Sequence, residues 1–237
     1  MKRIGIFGGS FDPVHNAHLA LAGVALQHLK LDQLLWVPVG QPWQKARQLV
    51  RAADRAAMVT LAIGGEPRYK LESCELLRTG PSYTVDTVRE LRQRDDGPAH
   101  QWFLIIGQDQ FAQFHTWHGW EELVRMVTLA VANRAGDAPH ANPEVAAASG
   151  RVIVLPLPPS TVSATGVRLR IGLGQDVSAM VPGAVASYIE QHGLYRGRHE
   201  ETHGRPKFPN PPRATKGPRR GPRGLTRSVR SGGTPRS

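Results

Sequence analysis

The sequence predicts an α/β fold, a doubly wound and mostly parallel sheet covered by helices. Two observations lead to this prediction. Short apolar runs alternate with segments of helical periodicity along residues 1–195, and the first run ends in Gly8-Gly9 directly before a helical pattern. Strands joined through helices lie parallel, with right-handed crossovers. Ligands bind at the carboxyl ends of such strands, so the Gly8-Gly9 turn is expected at the ligand-binding edge.

The alternation predicts six strands and seven helices. The strands are expected at Arg3–Phe7, Gln33–Val37, Tyr69–Ser73, Gln101–Ile106, Leu129–Asn133 and Val152–Leu155. The helices are expected at Asn16–Leu29, Ala52–Ile63, Thr84–Arg94, Gln108–Phe114, Trp120–Met126, Ser163–Ile171 and Pro182–Gln191. The Ala- and Pro-rich stretch 135–150 is expected to be a mobile surface excursion.

Charge divides the chain into a body and a tail. The net charge is +11, but residues 1–195 hold 18 Lys and Arg against 17 Asp and Glu, whereas residues 196–237 hold 12 against 2. The Arg/Pro/Gly-rich tail is too poor in apolar residues to offset the entropy of ordering. We therefore expect one domain over 1–195 and a disordered basic tail over 196–237. A solubilising role is expected for the tail, with nucleic-acid binding through its charge as the alternative.

Composition also bears on location. Cys74 is the one cysteine, so the chain has neither an intramolecular disulfide nor a cysteine-based metal site. No apolar run approaches the roughly 18 residues of a membrane-spanning helix. Because the sequence enters a strand at once, we expect no signal peptide. A cytoplasmic location without a membrane partner is expected.

The N-terminal run carries the clearest chemical signal. Gly8-Gly9-Ser10-Phe11-Asp12-Pro13 ends a strand and leads into a helix that starts near His15 and His18. Glycines allow close backbone approach, and the free N–H groups of a helix start favour an anion such as phosphate. Imidazoles at i and i+3 share one helix face, so both can point at the same ligand. The alternatives are a capping or packing role, or a metal site, although no further ligands stand at a recognisable spacing.

These residues resemble a known family. Residues 8–19, GGSFDPVHNAHL, are similar to the G-x-F-x-P-x-H-x-G-H signature of the T/H-x-G-H nucleotidyltransferases, with Ala17 where that family usually has glycine. Later segments resemble bacterial nicotinate-nucleotide adenylyltransferases in order and spacing. They are VPVGQPWQK (37–45), SYTVDT (82–87), IIGQDQF (105–111) with Trp117 following, and VSATGVR (162–168).

The resemblance implies a Rossmann-like nucleotidyltransferase fold and a reaction. ATP and nicotinate mononucleotide would give deamido-NAD and pyrophosphate, a step of NAD biosynthesis, with Mg²⁺ arriving on ATP and no metal ligands assigned to the chain. The implied catalytic residues are His15, His18, Lys45 and Arg168. The implied ATP-binding residues are Gly8, Gly9, Ser10, Phe11, His15, His18, Gly107, Asp109, Ser163, Thr165 and Arg168. The implied acceptor-binding residues are Lys45, Tyr83, Thr84 and Trp117.

Physical arguments support several of these roles. Ser163 can cap a helix whose next N–H groups face an anion, and Arg168 lies three residues after Thr165, where it can clamp phosphate. Lys45 follows the second strand and could reach phosphates as a point charge, or could be a solvated loop lysine.

The acceptor would be held by the later segments. N–H groups near Tyr83 and Thr84 precede a predicted helix and can receive a carboxylate, and Trp117 could stack on a pyridine ring. Asp109 follows a strand end and could accept from a ribose hydroxyl. Core packing is the alternative for both aromatic residues. Other acceptors used within the superfamily, namely nicotinamide mononucleotide, phosphopantetheine and glycerol phosphate, remain alternatives.

Overall fold

A computed structural model of the chain describes residues 1–41, 48–94, 100–134, 138–150 and 152–196. Within these residues the strands are β1 (Arg3–Gly9), β2 (Gln33–Pro38), β3 (Tyr69–Leu71), β4 (Gln101–Gly107), β5 (Thr128–Arg134) and β6 (Val152–Leu157). They form one all-parallel sheet in the order β3-β2-β1-β4-β5-β6. The predicted doubly wound parallel sheet is confirmed. The tail is predicted over 196–237, and its residues 197–237 lie outside the described residues.

Helices follow the strands as the alternation predicts. They are α1 (Asn16–His28), α2 (Ala52–Ile63), α3 (Cys74–Leu77), α4 (Thr84–Arg94), α5 (Gln108–Ala112), α6 (Trp120–Met126), α7 (Pro143–Ala148), α8 (Ala164–Gly172) and α9 (Gly183–Gln191). A 3-10 turn over Phe114–Thr116 follows α5, so the helix predicted at Gln108–Phe114 is shorter than expected. In the described ranges no helix combines the length and apolarity needed to cross a membrane.

Two short helices correct the sequence prediction. The third strand ends at Leu71 rather than Ser73, because the Glu72 carboxylate accepts the Cys74 N–H at 2.9 Å and a turn of helix, α3, begins there. Within the stretch 135–150, expected to be a mobile excursion, residues 143–148 form α7. Asn142 caps this helix by accepting the Glu144 N–H at 2.9 Å, and Val145 is fully buried.

The core lies on both faces of the sheet. Along β1, Ile4 and Ile6 face one buried cluster, whereas Phe7 faces the other. Helices α1, α2, α8 and α9 cover the Phe7 side, and α4, α5 and α6 cover the opposite side. Burial on both faces explains why the strands appear in the sequence as continuous apolar runs.

Strand order places a crevice at the centre of the sheet. β1 pairs with β2 on one side and with β4 on the other. The strands after β1 are therefore added towards one edge of the sheet, up to β3, and those from β4 onwards towards the other edge. At such a switch point, the loops after the two strands turn to opposite faces and leave a gap at their carboxyl ends. The Gly8-Gly9 end of β1 and Gly107 at the end of β4 both lie at this edge.

Candidate active site

The loop after β1, residues Ser10–Val14, leads into α1. We name it the phosphate-binding loop after the phosphate site predicted for it from the sequence. Phe11 has a φ of +46°, a left-handed conformation, and its side chain is fully buried. Its ring packs edge-on against Phe7, with centroids 5.5 Å apart, and lies tilted against Trp36 at 5.3 Å. The side chain of Phe11, expected at the ATP site, therefore anchors the loop in the core.

Side chains from distant parts of the chain hold the loop. Arg55 of α2, itself buried, donates to the Ser10 carbonyl oxygen at 3.0 Å. Arg168 of α8 donates to the Asp12 carbonyl oxygen at 2.7 Å, and the Tyr195 hydroxyl donates to the buried Asp12 carboxylate at 2.6 Å. Sequence reasoning missed Arg55, Asp12 and Tyr195, because these contacts span 45 to 183 residues of chain.

The two histidines at the start of α1 lie together, as their spacing predicts. Their rings stack with centroids 3.7 Å apart and planes 24° apart. The His15 backbone N–H donates to His18 Nδ1 at 3.1 Å, so a neutral His18 carries its proton on Nε2, where it can be donated.

His15 is the more buried of the pair. Its side chain is 7% exposed, and desolvation lowers its pKa from 6.5 to about 4, against an opposing contribution from a backbone hydrogen bond. Its Nδ1 is buried without a hydrogen-bond partner in the described part of the chain. At neutral pH His15 is therefore uncharged, which allows its ring to stack closely on His18.

The second predicted phosphate element lies against the first. Ser163 caps α8 by accepting the Gly166 N–H at 3.1 Å, as predicted. Arg168 donates to the Thr165 hydroxyl at 3.0 Å, which confirms that the two residues share one helix face. The same guanidinium also donates to the Asp12 carbonyl, so a direct hydrogen bond joins α8 to the phosphate-binding loop.

A cleft opens between the carboxyl ends of β1 and β4. A Cβ placed on Gly8 would meet no atom within 4 Å, so the strand end leaves space for a ligand there. The residues that line this cleft include Gly8, Gly9 and Ser10 on one side and Ser82, Thr84, Thr87, Gln110 and Trp117 on the other. The Gly8–Ser10 segment and the predicted acceptor residues Thr84 and Trp117 thus meet in one cavity. The lining residues do not include His15, His18, Tyr83 or Arg168.

The aromatic residues of the acceptor segments form two pairs. Trp117 is half-buried, lines the cleft, and packs on Phe114 with ring centroids 5.0 Å apart. The Tyr83 ring lies 4.4 Å from that of His118. Tyr83 therefore contacts the residue directly after Trp117. This contact joins the start of α4 to the segment after the 3-10 turn.

Glu75 is a site residue that the sequence did not indicate. It lines the cleft from α3, is 7% exposed, and accepts the Thr87 hydroxyl at 2.8 Å. Burial raises the pKa of its carboxyl group, although its hydrogen bonds and the Arg78 charge oppose this. Sequence reasoning had no signal for Glu75, because a four-residue helix shows no apolar periodicity.

The loop after β2 packs tightly on α3. A Cβ on Gly40 would lie 2.0 Å from the Glu75 carbonyl oxygen, so only glycine fits. The backbone N–H groups of Gly40 and Gln41 donate to the Ser82 hydroxyl at 3.2 and 3.3 Å. This loop leads to Lys45, which lies outside the described residues.

The remaining predicted residues lie at the end of β4. Gly107 is the N-cap of α5, and its N–H donates to the Gln110 side chain at 3.1 Å. Asp109 is exposed in the first turn of α5. Gln110, rather than Asp109, lines the cleft.

Residues 6–170 match the family model described as "Cytidylyltransferase-like". The chain belongs to the cytidylyltransferase-like family. The matched segment contains the phosphate-binding loop, the histidine pair, the cleft and Arg168.

Relatives of this cytidylyltransferase-like protein carry more specific names. A Methylibium petroleiphilum protein, 49% identical over 198 residues, covers 82% of this chain and 92% of its own length. A Bordetella avium protein is 46% identical over 200 residues, 83% of this chain and 99% of its own. Both are named "Probable nicotinate-nucleotide adenylyltransferase".

A solved structure has the same fold. It is "Plasmodium falciparum nicotinic acid mononucleotide adenylyltransferase complexed with NaAD", with a TM-score of 0.66 and 19% sequence identity. The similarity covers 82% of this chain and 98% of that one.

Proposed function

We propose that the protein transfers the adenylyl group of ATP to nicotinate mononucleotide, giving deamido-NAD and pyrophosphate. The observation that carries the proposal is the single cleft in which the Gly8–Ser10 strand end meets Thr84 and Trp117. A phosphate-binding element and an aromatic platform at one switch point suit two nucleotides that must meet. The names of relatives at 46–49% identity support the same reaction.

The chemistry needs alignment and charge stabilisation rather than a protein nucleophile. A phosphate oxygen of the acceptor forms a bond to the α-phosphorus of ATP. The bond from that phosphorus to the bridging oxygen of the β-phosphate breaks, and its electron pair leaves with pyrophosphate. The chain has to hold both nucleotides in line and stabilise the oxygens around phosphorus.

The ATP side would use the histidine pair and α8. His18 can donate from Nε2 to the triphosphate, because its Nδ1 accepts the His15 N–H. His15 would support that ring through the stacking contact, and Arg168, beside Thr165, would clamp the β- and γ-phosphates. Lys45 would add a positive charge from the loop after β2.

The acceptor side would use the opposite wall. Trp117 would stack on the pyridine ring, and N–H groups at the start of α4, near Tyr83 and Thr84, would receive the nicotinate carboxylate. A carboxylate accepts hydrogen bonds but cannot donate them, so a site built of N–H donors favours the acid over the amide.

Mg²⁺ belongs to the proposal as an ion that enters with ATP. The described residues contain no group of three or more His, Cys, Asp and Glu able to hold an ion, and the Asp12 carboxylate is buried against Tyr195. Phosphate oxygens and water would hold the ion, and its charge would neutralise the triphosphate and pyrophosphate.

A cytoplasmic location is proposed on the single cysteine, which fits a reducing compartment.

Pyrophosphate release from ATP, measured side by side with nicotinate and nicotinamide mononucleotides, tests the function. We expect kcat/KM to be about 100-fold higher for the acid, because an amide leaves a buried N–H unpaired at roughly 1–3 kcal/mol and loses a charge-assisted bond. Equal use of both acceptors would remove the acid preference. If neither acceptor supports pyrophosphate release, the proposed reaction is overturned.

A further inference from the structure

The chain after α9 returns to the phosphate-binding loop. Tyr195 lies four residues beyond the end of α9, and its hydroxyl donates to Asp12 Oδ1 at 2.6 Å. Asp12 has no solvent-exposed surface. A buried carboxylate without donors is strongly unfavourable, so the hydroxyl bond is part of what allows Asp12 to lie inside the protein.

Tyr195 is held in a conformation that its backbone does not favour. Its φ is +62°, in the left-handed region that glycine adopts readily and tyrosine rarely does. Leu194 and Tyr195 pack against the core cluster beneath α1, and the Leu194 N–H donates to the Ile189 carbonyl at 3.0 Å. Packing and the bond to Asp12 together keep Tyr195 in this conformation.

Asp12 is the point at which several parts of the fold hold the loop. Its carboxylate accepts from Tyr195 and its carbonyl from Arg168, which also bonds Thr165. Two residues earlier, the Ser10 carbonyl accepts from Arg55. The phosphate-binding loop connects the strand end that lines the cleft to the histidine pair. Loss of the Tyr195 hydrogen bond would therefore loosen this connection.

We propose that Tyr195 is a positioning residue for the ATP phosphates, acting through its hydrogen bond to Asp12. This inference rests on the proposed adenylyl transfer, because it assigns the loop to ATP rather than to the acceptor. Tyr195 does not touch the substrate. It holds the Asp12 side chain while Arg168 holds the Asp12 carbonyl, so that the His15 and His18 rings keep their place relative to the phosphates.

A second tyrosine provides a matched control. The Tyr188 hydroxyl of α9 donates to Asp54 Oδ1 of α2 at 3.0 Å, and Asp54 is 2% exposed. Both tyrosines belong to the C-terminal part of the body, and both donate to a buried aspartate. Only the Tyr195 bond ends in the phosphate-binding loop.

The test compares Tyr195→Phe and Tyr188→Phe in the full-length chain. We expect Tyr195→Phe to lower kcat/KM for ATP about tenfold, since small displacements of positioned groups have large rate effects, and to change the acceptor KM less than twofold. Tyr188→Phe is expected to change neither by more than twofold. Hydrogen exchange followed by mass spectrometry should show faster exchange over residues 10–15 in Tyr195→Phe alone.

The outcomes separate this inference from the proposed function. Equal kcat/KM for ATP in both variants, with unchanged exchange over residues 10–15, would overturn the positioning role while leaving adenylyl transfer intact. If the wild-type chain transfers nothing to the acceptor, calorimetric titration with ATP and Mg²⁺ replaces the kinetic readout. Weaker ATP binding in Tyr195→Phe alone would then support the inference, and equal binding in both variants would refute it.

Discussion

His15 shows how the burial of one side chain at the proposed ATP site sets both its charge and its contribution to stability. The helix start that suits an anion also packs an imidazole into the protein, and the loss of solvation lowers the pKa of that imidazole to about 4. A positive charge on His15 would repel a positive charge on His18, because the two ring centroids lie only 3.7 Å apart. The site thus combines one histidine that stays neutral with a neighbour whose Nε2 can donate.

The pH dependence of unfolding tests this interpretation. Because the folded pKa of His15 is below the unfolded value of 6.5, the unfolded chain binds more protons between pH 6.5 and 4. The His15 contribution to stability is complete above pH 6.5 and is lost as the pH falls towards 4. Over this window the free energy of unfolding should fall more steeply in wild type than in His15→Asn, by up to about 1.4 kcal/mol per pH unit.

Denaturant unfolding at several pH values between 7 and 4 measures this difference. His28→Asn, which removes an exposed histidine from the other end of α1, controls for the loss of any one imidazole. Parallel profiles for wild type and His15→Asn would contradict a lowered pKa at His15.

At the level of elements, side-chain hydrogen bonds between several segments, rather than one motif, hold the cleft wall that is proposed to bind the acceptor. Glu75 of α3 accepts from Thr87 of α4, while Ser82 accepts from the loop after β2 through Gly40 and Gln41. These bonds tie three segments around the cleft. A change at Glu75 should therefore act on the acceptor more than on ATP.

Glu75→Ala tests this arrangement. Removing the carboxyl group leaves the buried Thr87 hydroxyl without that acceptor, at a cost of about 1–3 kcal/mol, and loosens the start of α4. We expect the KM for nicotinate mononucleotide to rise at least about fivefold, or about 1 kcal/mol, with the KM for ATP changed less than twofold. Glu75→Gln keeps an acceptor oxygen and should retain most of the wild-type behaviour.

Glu90→Ala is the control, because it removes a half-buried carboxylate of α4 that is bonded to Arg78 and does not line the cleft. An ATP KM that rises as much as the acceptor KM in Glu75→Ala would show that Glu75 supports the whole fold rather than this wall.

Elements also show how far the sequence could predict this protein. The six strands were predictable because burial on both faces leaves continuous apolar runs. Helices α3 and α7 were missed, since four and six residues are too few to show a periodic pattern. The histidine pair and the Ser163 cap were predictable because each lies within a few residues of chain. Arg55 was not, because its contact with Ser10 spans 45 residues of chain, and Glu75 was not, because it lies on a helix of only 4 residues.

For the whole molecule, the order of the strands is what unites these parts. β1 and β4 are neighbours although about 90 residues separate them in the chain, so the Gly8-Gly9 end and the segment through Trp117 meet at one edge. α8 and the chain after α9 then close on the same loop through Arg168 and Tyr195. Each part of the proposed site therefore lies within residues 1–196.

Truncation tests whether those residues suffice. Residues 197–237 carry most of the excess positive charge, and their composition predicts no packed core. A chain ending at Arg196 should keep kcat and both KM values within about twofold of wild type, because it keeps Tyr195 and every residue assigned to the site. A chain ending at Leu194 also lacks the Tyr195 hydroxyl and should lose kcat/KM for ATP at least as strongly as Tyr195→Phe.

Steady-state kinetics of the two truncations, together with RNA binding at low and high salt, separate a catalytic role of the tail from a nucleic-acid-binding role. A large loss of turnover in the longer truncated chain would place part of the catalytic machinery beyond Arg196, whereas a loss of salt-sensitive RNA binding alone would assign the basic tail to nucleic acid.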